Sequence, residues 1–379
     1  MPDRPIAARS RLLWSTLGCL GLAACAFGLR LGVPSEWIER FYSRGAYPVI
    51  REGLDLAFGW WPVAASGVWL IAAFALLGFD AYRQARTGTS AYAKTVRGLL
   101  SVTRTLSVVA TLFLVAWGFN YGRRPVAAHL GLTPAELTTE ELWSELERVA
   151  KHVAILRAGL PVRDTADFAS SPLSVHASQR VGVAVRSTLA GLGYPVPGRV
   201  RLREVVPGGL LSFNTSGVYF PLTGEAHVDG GLHALQKPFT VAHELLHGYG
   251  ITDEGACNFL AWLSVTRADN LYLRYSGHLT YYRYLGAAVR RRDPAGYAAF
   301  RERLPLGVRA DLDSIARNND RYVEIAPGVR HAVYDGYLKS QGVSGGAASY
   351  SRIIDLIVAW RSARRPPRAV PTAAAQRRR

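Results

Sequence analysis

Three apolar stretches in the first third of this chain carry no charged residue: between Arg11 and Arg30, between Asp55 and Asp80, and between Arg104 and Arg123. A helix rises about 1.5 Å per residue, so each run is long enough to cross the roughly 30 Å hydrocarbon layer of a bilayer. All three fall in the first third of the chain, where too little polar sequence surrounds them to bury them as core helices. They predict membrane helices at about 12–32, 56–79 and 99–121. Trp60, Trp61 and Trp117 stand near run ends, where an amphipathic ring suits the interface.

Orientation follows from the cations. The amino-terminal tail has Arg4, Arg9 and Arg11 against Asp3, and the second connection has Arg83, Arg86, Lys94 and Arg97 against Asp80. The first connection is balanced, with Arg30, Arg40, Arg44 and Arg51 offset by Glu36, Glu39, Glu52 and Asp55. Positive loops stay inside. Three crossings from an inside start therefore place the chain after Arg124 at the outer face of the membrane. Leu22-Ala23-Ala24-Cys25 also has the look of a lipoprotein cleavage site, which would make Cys25 a lipidated anchor without changing the side. The three cysteines, Cys19, Cys25 and Cys257, form no disulfide framework.

The remainder reads as a soluble domain over 125–361 and a loose basic tail over 362–379, with 1–124 as the anchor. Thr138-Thr139-Glu140-Glu141 is a capping box, and Leu142, Leu146, Val149, Val153 and Leu156 follow at helical spacing. Residues 174–193 read as a second helix ended by glycine, residues 199–206 and 216–229 as strands, and nearly everything after 252 as helix. A net charge of +17 would raise the question of nucleic acid, but the excess is almost all arginine and forms no basic stripe interleaved with aromatics. No nucleic-acid partner is expected; the lipid bilayer is the partner that such a charge suits.

The chemistry concentrates in AHELLHGYGITDEGACNFLAW, residues 242–262. His243-Glu244-Leu245-Leu246-His247 is an HExxH pattern following Pro238 and Thr240, which can start a helix. Histidines four apart share one helix face, so both imidazoles can reach one metal ion. Glu244, about 100° around the helix, can sit beside that ion and take a proton from water. A catalytic zinc needs a third protein ligand. Gly248 and Gly250 permit a turn, Thr252 can cap a new helix, and Asp253 and Glu254 then fall in its first turn with Asn258 one turn beyond Glu254. Five ionisable groups in 239–262 argue against placing this segment within lipid.

A Glu followed four residues later by Asp or Asn, on the helix after HExxH, resembles the gluzincin arrangement of zinc peptidases. The resemblance implies Glu254 as third zinc ligand and Asn258 as the residue that supports a ligating histidine. Asp253 is the rival, because His247-x-x-Gly250-x-x-Asp253 resembles the metzincin spacing. More widely, WGFNYGRRP at 117–125, GVYFPLTGEAHV at 217–228, PFTVAHELLHGYG at 238–250, LRYSGHL at 273–279 and YLKSQGVSGGAASYSRIIDLIVAW at 337–360 resemble a bacterial family of membrane-anchored proteins regarded as zinc peptidases and grouped as a domain of unknown function.

The resulting expectation is three transmembrane helices followed by an α-rich α+β, zincin-like metallopeptidase domain of gluzincin type. It would use Zn2+ to hydrolyse peptide bonds in a peptide or protein of the cell envelope. Glu244 would be the base, and Tyr334, Tyr337 and His331 are the candidates for stabilising the developing oxyanion. The extended chain before the metal helix could pair with substrate at a sheet edge, with Glu225 and His227 facing the cleft. Cys257 reads as a small core residue, and Lys339, Arg274 and Arg352 as ion-pair residues. The competing reading is a non-catalytic receptor or scaffold that keeps the fold for binding.

Overall fold

The structure, a computed structural model, describes residues 4–86, 90–161, 175–325 and 352–364. Three helices are long and apolar enough to cross a membrane: α1 (Arg4–Gly32), α4 (Ala65–Ala85) and α5 (Ala91–Ala116), with candidate spans of 23, 19 and 26 residues. Between α1 and α4 the chain forms a short turn, α2 (Ser35–Trp37), a wide π turn over Ile38–Ala46, and α3 (Tyr47–Phe58).

Two of these boundaries differ from the predicted ones. The second span starts at Ala65 and not near 56, because α3 ends at Phe58 and Pro62 interrupts the chain. A proline disfavours helix at the residue before it. The third ends at Ala116 and not near 121, because Gly118–Gly122 tightens into a 3-10 turn. A run without charge need not be one helix: residues 56–58 end α3 and 59–64 connect it to α4 with Trp60 and Val63 exposed, while Trp117 and Asn120 beyond α5 are buried.

After α6 (Val126–His129), the predicted capping box is present. Thr138 Oγ1 accepts from the Glu141 backbone N–H at 3.2 Å and Glu141 Oε2 accepts from that of Thr138 at 2.8 Å, starting α7 (Thr139–Ala158). The helix α8 (Val175–Gly191) leads to β1 (Arg201–Val205), β2 (Gly217–Phe220) and β3 (Glu225–Asp229). The sheet order is β1-β3-β2; β1 runs parallel to β3 with Arg201 opposite Glu225, and β2 antiparallel with Gly217 opposite Val228. The strand β2 is thus an edge. Then follow α9 (Lys237–Gly248), α10 (Glu254–Thr266), α11 (Leu271–Arg292), α12 (Pro294–Glu302), α13 (Leu306–Asn319) and α14 (Ile353–Ser362). The outcome is a mostly helical domain with one small mixed sheet.

The core is organised around α10, in which every residue from Glu254 to Val265 is buried. Apolar residues lie on all sides of it, the pattern of a helix packed on every face. Phe259, Leu260, Leu246, Val185 and Tyr281 meet there with essentially no exposure. Fully burying such a side chain contributes roughly 1.5–3 kcal/mol, which fixes α9 and α10 against each other.

The segments that flank the apolar helices share this core with the domain. Tyr47 of α3 and Trp117 after α5 belong to it, and Arg123 makes a buried two-point pair with Glu39, both contacts at 3.0 Å. The segment between α1 and α4 and the domain therefore lie at one end of the three helices, and the α4–α5 connection lies at the other.

Candidate metal centre

The helix α9 ends where it must. Gly250 has φ +80°, a left-handed conformation that only glycine adopts without strain, and an added Cβ would also lie 3.0 Å from the Tyr47 ring and 3.1 Å from the Asn120 amide. The chain turns there and starts α10. Asp253 caps that helix, its Oδ1 accepting from the Ala256 N–H at 2.7 Å, while its Oδ2 meets Arg352 at 3.3 Å. Thr252, the expected cap, instead donates to the Asn120 carbonyl at 3.2 Å. With both carboxylate oxygens engaged, Asp253 is turned away from the histidines.

Glu254 is turned toward them. His243 Nε2 and His247 Nε2 are 3.1 Å apart, and Glu254 Oε2 lies 3.0 Å from the first and 3.6 Å from the second. The other ring nitrogens are used: His243 Nδ1 is 2.9 Å from Asn258 Oδ1 and His247 Nδ1 is 2.8 Å from the Ile251 carbonyl. A carbonyl can only accept, so His247 carries a proton on Nδ1, and Nε2 is the ring nitrogen that faces His243 and Glu254.

Cys257 completes a second grouping, since His243, His247 and Cys257 form a buried cluster that could hold a metal ion. Its sulfur, however, stands 3.5 Å from His247 Nδ1 and 3.3 Å from the Ile251 carbonyl, on the far side of the imidazole from Glu254. Charge favours a cation in the grouping with Glu254. Burial would raise the Glu254 carboxyl, but His247 and His243 outweigh it and hold the group well below the ordinary carboxylate range. Burial would lower His247, yet Cys257 and Glu254 carry it well above its usual value. Burial pushes the Cys257 thiol up to about 11.

Glu244 faces the same space from the neighbouring position on α9. Burial raises its carboxyl, against the pull of His243 and His247. It packs so closely on β2 that a Cβ at Gly217 would come within 2.7 Å of its Cγ and Oε1. Gly217→Ala is therefore expected to destabilise the protein by about 1–3 kcal/mol through overpacking, read as a lower thermal midpoint; an unchanged midpoint would contradict this packing.

These groups line a cavity of about 740 Å3. One wall is α9 and α10, the second is β2 from Gly217 to Tyr219, the third is Thr280, Arg283, Tyr284 and Ala287 of α11, and the fourth is Phe113, Trp117 and Tyr121 from the end of the third apolar helix. The edge strand does border the cavity, but Glu225 and His227 do not. They lie on the central strand β3 and point to the start of α4: the Glu225 carboxylate accepts from the Ala65 and Ser66 N–H groups at 3.2 and 2.9 Å, and His227 Nε2 contacts Ser66 Oγ at 2.8 Å. A carboxylate at a helix N-terminus satisfies free donors and the helix dipole together. Tyr334, Tyr337 and His331 lie outside the described residues.

Several contributors have no local mark in the sequence. Trp117 Nε1 donates to the His247 carbonyl at 2.7 Å, Tyr47 Oη to that of Gly248 at 2.7 Å, and Arg123 Nη1 to that of Gly250 at 2.8 Å. The last carbonyls of a helix lack intrahelical partners; here side chains from the segments flanking the apolar helices supply them. On α11, only the spacing of Thr280, Arg283, Tyr284 and Ala287, one helix face, could have suggested a shared wall.

No curated protein and no solved structure shows significant similarity to this chain. A family model described as a protein of unknown function, DUF3810, matches residues 42–358 and so takes in the α3 segment, the last two apolar helices and the histidine cluster. The chain belongs to that family, DUF3810.

Proposed function

We propose that the protein is a membrane-anchored, zinc-dependent peptidase whose domain stands at the outer face of the cytoplasmic membrane. The observation that carries this reading is the convergence of His243 Nε2, His247 Nε2 and Glu254 Oε2. Ligands about 2.0–2.1 Å from one tetrahedral ion lie about 3.3–3.4 Å from one another, and these atoms are separated by 3.0, 3.1 and 3.6 Å. Two imidazoles and one carboxylate from consecutive helices, with Asn258 and the Ile251 carbonyl fixing the rings, favour a gluzincin-type, zincin-like site over the grouping with Cys257.

Bound there, zinc would supply a Lewis acid that polarises a carbonyl and acidifies water. The chain's own residues do the rest. Glu244, raised by burial toward the working pH, accepts a proton from the attacking water and returns it to the amine that leaves as the C–N bond breaks. The Phe113, Trp117 and Tyr121 wall puts this chemistry beside the membrane, which suits peptides and proteins of the cell envelope. The domain lies at the opposite end of the apolar helices from Arg83, Arg86, Lys94 and Arg97, as an outward-facing domain requires.

Metal analysis of the purified full-length protein tests the centre. About one zinc per chain is expected, lost on Glu254→Ala or His247→Ala and retained on Asp253→Ala and Cys257→Ala. Absence of stoichiometric zinc would remove the proposal, and loss in Cys257→Ala with retention in Glu254→Ala would move the ligand set to the thiol.

A further inference from the structure

The α11 wall of the cavity contains a cation, Arg283, without an ion-pair partner among the described residues. Arg283 is half-buried, its burial lowers the guanidinium's pKa, and it makes no hydrogen bond or ion pair among the described residues. The two carboxylates in the same cavity are committed elsewhere: Glu254 faces His243 and His247, and Glu244 packs on β2 at Gly217. Other arginines in the interior are paired, as Arg157 is with Asp311 at 2.7 Å and Arg123 with Glu39 at 3.0 Å. A guanidinium cannot shed its charge at physiological pH, so holding one in a partly dry cavity without a counterion costs stability. Such a group earns its place by meeting an anion that arrives from outside.

We propose that Arg283 receives a carboxylate of the substrate, making this a peptidase that selects chains with an anionic group close to the bond it cuts. The planar fork of Arg matches a carboxylate at two points, and partial burial strengthens that contact. The wall of Phe113, Trp117 and Tyr121 is aromatic. It carries no formal charge and suits an apolar side chain, so the cavity offers a peptide both a cation and an apolar surface. The carboxylate can be the free carboxyl terminus, which would give trimming from the chain end, or an Asp or Glu side chain, which would give internal cleavage. This inference rests on the zinc reading of the same cavity.

Binding of three hydroxamate-capped dipeptides to the full-length protein in detergent separates the possibilities. One ends in a free carboxylate, one in a carboxamide, and one in a carboxamide preceded by Asp; affinity is measured by calorimetry. The free acid is expected to bind the wild type at least ten-fold more tightly than the plain amide, and that preference should collapse in Arg283→Gln and survive in part in Arg283→Lys. If the Asp-containing amide matches the free acid, the carboxylate read is a side chain; if it matches the plain amide, it is the terminus. Zinc content is expected to stay unchanged in both variants. Equal binding of all three compounds to the wild type, or a preference that persists in Arg283→Gln, would overturn the inference while leaving the metal centre standing. If no compound binds a protein that carries stoichiometric zinc, this inference falls and the metal centre stands; if zinc is absent as well, both fall.

Discussion

Glu244→Gln is expected to reduce peptide hydrolysis by about 10²–10⁴-fold, the contribution of a positioned general base, while zinc content and thermal midpoint stay close to wild type. The substitution keeps the side chain's size, so the contact with β2 at Gly217 survives. It removes only the ability to take a proton. The carboxylate is well placed for that task. It lines the cavity beside His243 and His247, and burial raises its proton affinity above that of an ordinary carboxylate. Removing it by Glu244→Ala would be a weaker experiment, because the space left behind would mix a packing loss with the chemical one. Cleavage is best followed by mass spectrometry of a peptide mixture incubated with the full-length protein in detergent. Activity that survives Glu244→Gln at the wild-type rate would end the proposed mechanism. Stoichiometric zinc with no hydrolysis by the wild type would favour the receptor or scaffold reading.

Local spacing made part of this site legible in the sequence. A helix fixes the relative positions of residues four apart, so His243 and His247 could be placed on one face, and Gly250 marked the turn into the next helix. The capping box at Thr138 and Glu141 likewise acts within one turn. Two kinds of feature escaped. Contacts between distant segments leave no periodic trace: Trp117 reaches His247 across 130 positions and Tyr47 reaches Gly248 across 201. Strand order was the other. β-Branched and aromatic content with Gly and Pro punctuation identified 216–229 as extended, but nothing local says that β3 lies between two strands, and a central strand gives its polar residues to the sheet's other neighbours. Glu225 and His227 are accordingly engaged with the start of α4 and not with the cavity. Arg283 escaped for a related reason, since an arginine on a helix rich in Tyr and Arg reads as surface until the wall it belongs to is built.

The membrane-proximal segments should prove inseparable from the metal centre. A chain that begins at Arg124, without the three apolar helices, is expected not to yield a folded, zinc-binding protein. Removing Trp117 or Tyr47 from a packed core would each cost about 3–5 kcal/mol, comparable in sum to the whole stability of an ordinary domain, about 5–15 kcal/mol. The losses fall on the turn between α9 and α10: the carbonyls of His247 and Gly248 would lose the donors supplied by Trp117 and Tyr47, and Arg123, itself absent, would no longer hold that of Gly250. That turn sets the distance between His247 and Glu254, so its loosening should show first as lost zinc. A milder change separates this effect from membrane insertion. Trp117→Phe keeps a ring in the core but deletes the indole N–H, and is expected to cost about 1–3 kcal/mol for the buried carbonyl contact and to weaken zinc binding measurably in the intact chain. Zinc affinity is read by competition with a chelator, and stability by thermal unfolding in the same detergent. A fragment from Arg124 that is monodisperse and binds zinc as tightly as the whole protein would show that the anchor only tethers. The hydrogen bonds argue otherwise, because the end of the third apolar helix reaches the backbone of a histidine in the centre itself.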